Sequence, residues 1–76
     1  MRTKYFVTFD SEAKQWKVKK TGAEKASGLY NLKTEAIDAA VTFAKNNQPS
    51  QVIIKNKDGK IEDERTYGND PYPPKG

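Results

Sequence analysis

Only one stretch of this chain, Lys33–Asn47, has a helical period, and that limits the possible folds more than any other feature. Ala36, Ile37, Ala40, Phe43 and Ala44 recur at three- and four-residue steps and share a face, while Glu35, Asp38, Thr42, Lys45 and Asn46 fall on the other. The spacing predicts one helix at about 34–47, opened by a Thr34 hydroxyl cap and stopped by Asn46-Asn47 and Pro49. Glu35 and Asp38 near its start and Lys45 near its end suit the helix macrodipole. An apolar face made mostly of alanine lets such a helix lie close to a sheet. The remaining segments read as strand or turn and must supply that sheet.

Residues 4–9 alternate, with Tyr5, Val7 and Phe9 on one side and Phe6 and Thr8 on the other. After the polar turn at 10–13, Gln15–Lys20 alternates again: Trp16 and Val18 face one way, Gln15, Lys17 and Lys19 the other. The two runs predict a hairpin that covers the helix with Tyr5, Val7, Phe9, Trp16 and Val18. Thr21-Gly22 marks a turn, and residues 26–32 read as a weaker strand in which Gly28 signals a bulge or a close approach. Past the helix, Val52-Ile53-Ile54 reads as a strand buried on both faces. Asp58-Gly59 marks a hairpin turn, and Ile61–Tyr67 is the returning strand. Its alternation groups Ile61, Asp63, Arg65 and Tyr67 against Glu62, Glu64 and Thr66, a charged pattern that suits a sheet edge. The expectation is a two-layer α+β domain over 1–67, ordered β-β-β-α-β-β, with an antiparallel-rich sheet and one helix on one face. A Pro/Gly-rich tail follows at 68–76.

Several segments together are similar to a known family. Tyr5-Phe-Val-Thr-Phe, Trp16-Lys-Val-Lys, Gly22-Ala-Glu-Lys-Ala-Ser, Thr34-Glu-Ala-Ile, Lys57-Asp-Gly-Lys-Ile and Glu64-Arg-Thr-Tyr-Gly-Asn-Asp-Pro resemble the bacterial domain-of-unknown-function family 2188. Asp58-Gly-Lys-Ile and Arg65-Thr-Tyr-Gly-Asn-Asp-Pro are the most specific pieces. The resemblance covers nearly the whole chain and implies a small stand-alone α+β protein. It brings no activity, ligand or catalytic residue with it.

Chemistry is narrowed by what the 76 residues lack. With no His and no Cys, the usual nucleophile–base pairs and thiolate or imidazole metal sites are missing, and no disulfide framework can form. Glu62 and Glu64 share a strand face by alternation, but a layer this small offers little room for a two-carboxylate cleft. Asp58, Glu62, Asp63 and Glu64 follow no calcium-loop pattern. The expectation is therefore a non-enzymatic protein with no cofactor and no metal. The start, Met-Arg-Thr-Lys-Tyr, has no apolar leader, and no stretch could span a membrane, so a soluble cytoplasmic protein is expected.

Charge is the better lead. The net charge is +4, but residues 14–33 hold six lysines against one glutamate, a local excess of +5. Lys17 and Lys19 project opposite Trp16 and Val18, Lys14, Lys20 and Lys25 flank them in turns, and Phe6 shares their face. A lysine-bearing sheet face with an aromatic can track the phosphate backbone of DNA or RNA, without sequence preference and with strong salt dependence. Lys14, Lys17, Lys19, Lys20, Lys25 and Phe6 are thus the candidate nucleic-acid contacts. Two other readings stay open: lysines that simply solubilise a small sheet, and a protein-interaction or structural module, including a homodimer, using the open sheet face or an edge. The tail around Tyr72 folds back over apolar surface, stays disordered, or docks on another protein.

Overall fold

The computed structural model describes residues 3–68. Its elements are β1 (Thr3–Asp10), β2 (Gln15–Lys20), β3 (Gly28–Tyr30), α1 (Lys33–Asn46), β4 (Ser50–Lys55) and β5 (Ile61–Tyr67). This is the expected α+β order, with β3 shortened to three residues. The Pro/Gly tail lies outside the described residues except for Gly68.

The strands form one sheet in the order β3-β2-β1-β4-β5. The β1–β2, β2–β3 and β4–β5 pairs are antiparallel, while β1–β4 is parallel, so the sheet is mixed. Chain length explains the parallel pair. Two hairpin reversals leave β3 running in the direction of β1. The 14 residues of α1 then cover about 21 Å at 1.5 Å per residue, close to the about 20 Å of a six-residue strand. The helix therefore returns the chain to the end where β1 began, and β4 starts there beside it.

The helix lies on one face of the sheet. Ala36, Ala40 and Ala44 are fully buried against Tyr5, Val7, Trp16, Val18, Val52 and Ile54, with Phe9, Tyr30, Ile37, Phe43 and Tyr67 packed around this core. Each large side chain fully buried in this way stabilises the fold by about 1.5–3 kcal/mol. Alanine at the contact leaves room for Trp16 and the Phe9 ring, which meet edge-on with centroids 5.1 Å apart. Ile53 points the other way and is still buried, as the β-branched run predicted.

The ends of the helix are made differently from the sequence expectation. The N-cap is Leu32, not Thr34, which lies inside the first turn. Leu32 N–H donates to the Glu35 carboxylate at 3.3 Å, and the Leu32 carbonyl accepts from Ala36 N–H at 3.1 Å. This is the Glu half of a capping box: Glu35 satisfies the N–H of the cap residue, and leucine offers no hydroxyl for the other half. At the other end, Asn47 donates its side-chain amide to the Phe43 carbonyl at 2.8 Å and its backbone N–H to the Ala44 carbonyl at 3.2 Å. The buried Ser50 hydroxyl donates to the same Ala44 carbonyl, joining the end of α1 to the start of β4.

The β4–β5 hairpin turns where Asp58-Gly59 predicted. Asn56 Oδ1 accepts the N–H groups of Asp58 and Lys60 at 2.9 and 3.0 Å, and Gly59 takes φ 86°, which favours glycine. Gly28 is a close approach, as expected: a Cβ there would collide with the Tyr30 ring.

One alternation is overturned. A bulge at Ile54/Lys55 pairs Ile54 with Asp63 but Lys55 with Ile61, so Glu62 has no partner across the ladder. Ile61 consequently shares the face of Lys55, opposite Asp63, Arg65 and Tyr67. Glu62 forms an ion pair with Lys33 at the helix start instead of lining up with Glu64.

Candidate nucleic-acid interface

The face of the sheet away from α1 is set by the strand register, because residues directly paired across the ladder share a face. One row across it is Lys19, Phe6, Ile53 and Glu64. The next row begins with Leu29, Lys17 and Thr8 and continues through Lys55 to Ile61. On the other side of the first row stand Lys4, Gln51 and Thr66. The face thus carries Lys4, Lys17, Lys19 and Lys55, none of them ion-paired among the described residues. Its acidic groups lie at the margins. Asp10 is occupied at the β1–β2 turn, accepting from Glu12 and Ala13 N–H at 3.0 and 3.2 Å. Glu64 accepts from the Gln51 amide at 3.1 Å.

Phe6 sits on this face but is half-buried, and Lys55 Nζ lies 5.3 Å from its ring centroid. Ile53 beside it is 6% exposed. The centre is therefore a shallow apolar floor with cations over and around it.

The six candidate residues do not all converge. Lys17, Lys19 and Phe6 come together as the alternation required. Lys20 pairs with Tyr5 and so takes the helix-side alternation at the end of β2. Lys14, at φ 55°, lies in the β1–β2 turn, and Lys25 lies in the β2–β3 connection at the opposite end of the sheet. Lys4 and Lys55 complete the face and escaped the sequence reading. Lys4 has the parity of Phe6 and Thr8 and was findable from it. Lys55 needed the parallel β1–β4 register, which no local pattern encodes.

On the β5 edge, Asp63 accepts the N–H of Glu64 at 2.9 Å and the Arg65 guanidinium at 3.3 Å. Hydrogen bonding to Asp63, then to Tyr67, raises the Arg65 pKa above its already high ordinary value. That leaves Arg65 charged under all working conditions. Among the described residues there is no pocket, no cluster of three or more His, Cys, Asp or Glu placed to hold a metal, and no helix long and apolar enough to cross a membrane.

Residues 5–67 match the family model described as an uncharacterized protein conserved in bacteria, DUF2188. The chain belongs to this family. The matched span of the DUF2188 domain runs from the first core residue of β1 to the end of β5, so it takes in every strand and the helix. No curated protein and no solved structure matches the DUF2188 chain.

Proposed function

We propose that this DUF2188 domain is a non-enzymatic binding module whose open sheet face contacts the phosphate backbone of nucleic acid. One observation carries the reading: Lys4, Lys17, Lys19 and Lys55 share the single sheet face that the helix leaves uncovered. Support comes from the charge balance of that face: Asp10 and Glu64 are engaged by other polar groups, and the four lysines are not ion-paired among the described residues. The absence of His and Cys from the chain supports binding over catalysis. The test is a mobility-shift titration with generic DNA and RNA at low salt, comparing the native chain with the Lys17→Glu, Lys19→Glu double variant. Binding by the native chain and its loss in the variant are expected. Absence of binding at low salt, or equal affinity of the variant, refutes the assignment.

A second reading has its own observation. Leu29 and Ile61, 50% and 55% exposed, stand at opposite margins of the same face. Exposed aliphatics suit a protein partner or a second copy. Light scattering at high protein concentration separates a homodimer from a monomer.

A further inference from the structure

Three of the four lysines of the open face flank β1, and the fourth, Lys4, stands at the start of β1 itself. Lys17 and Lys19 are on β2, Lys55 is on β4, and β1 lies between with Phe6 and Thr8 upward. At about 4.8 Å per strand, the two flanks are about 10 Å apart at the backbone. The β1 strip between them presents the Thr8 hydroxyl and a half-buried Phe6 ring with Lys55 over it, and Ile53 of β4 beside Phe6 is buried.

Proteins that hold single strands combine cations with open aromatic platforms on which unpaired bases stack. Among the described residues this face has no such platform. Tyr5, Phe9, Trp16, Tyr30 and Tyr67 take the helix-side alternation, and Phe43 is on the helix itself. A duplex keeps its bases stacked on one another and offers two anionic backbones on either side of a groove. Cations on β2 and β4 either side of the low Phe6–Thr8 strip, with Lys4 at its end, match that outline. Resting on the reading above, we propose that the ligand is double-stranded nucleic acid, with β1 over the groove, the β2 lysines on one backbone and Lys55 on the other. Glu64 and the acidic β5 edge bound the footprint beyond β4. Among the described residues base-edge recognition is not provided for: Arg65 is on the other face, and Gln51 is engaged by Glu64. The contact is therefore indifferent to sequence.

The test is fluorescence anisotropy with a short labelled DNA duplex, the matching RNA duplex, and each separated strand, at about 50 mM salt. At least one duplex binds at least ~10-fold tighter than its own separated strands. Lys55→Gln weakens duplex binding, while Asp38→Asn, on the exposed outer surface of α1, leaves it within about twofold. Single strands binding as tightly as duplex, or Lys55→Gln leaving duplex binding unchanged, overturn the duplex assignment while leaving the backbone-binding reading in place. Failure of every probe to bind overturns both.

Discussion

Replacing Lys17 and Lys19 by glutamine removes half of the four lysines on the open face while keeping a long polar side chain and the strand pattern. If all four neutralise duplex phosphates, log K falls with log salt at about −0.9 per contact, a slope of about −3.6. Raising salt from about 50 to about 200 mM then weakens binding about 150-fold. In the Lys17→Gln, Lys19→Gln variant the slope falls to about −1.8, and the same salt step costs only about 12-fold. The assay is anisotropy at four or five salt concentrations, with urea melts to check the fold. Neither lysine is ion-paired among the described residues, so the stability change stays within about 0.5 kcal/mol. A slope unchanged by the double substitution refutes the assignment of these lysines, because the phosphate contacts then lie elsewhere on the chain.

Three further outcomes test the packing. Ala40→Leu forces extra carbon atoms between helix and sheet where Ala40 is fully buried, and lowers stability by about 1–3 kcal/mol in urea melts. Ile54→Ala opens a cavity in the helix-side core and costs about 2–5 kcal/mol, read as a lowered melting temperature. Gly59→Ala places a Cβ at φ 86° in the β4–β5 turn and costs about 1–2 kcal/mol in the same melts, although nothing lies within 4 Å to clash with it.

The parts of this fold legible in the sequence are those encoded by near neighbours. The Tyr5/Val7/Phe9 and Trp16/Val18 alternations, the alanine period of the helix and the Asp58-Gly59 turn each state their own local geometry, and all appear in the structure. They also placed Lys17, Lys19 and Phe6 on one face. What stayed hidden depends on the chain meeting itself at a distance. The parallel β1–β4 pair follows from where the helix delivers the chain, and only that register brings Lys55 over Phe6. The bulge that shifts Glu62 out of line with Glu64 is a single inserted residue that leaves no mark in an alternating charged run. The Leu32 cap was masked because a hydroxyl residue, Thr34, stood two residues later, while leucine has no capping group and only its N–H is satisfied, by the Glu35 carboxylate.

The most direct measurement is backbone amide chemical-shift mapping of the isotope-labelled chain during titration with a short nucleic-acid duplex at low salt. The account predicts shifts concentrated on Phe6, Thr8, Lys17, Lys19 and Lys55, with Glu35, Asp38 and Thr42 on the outer surface of the helix unmoved. Shifts centred on the helix, with the sheet face silent, contradict it.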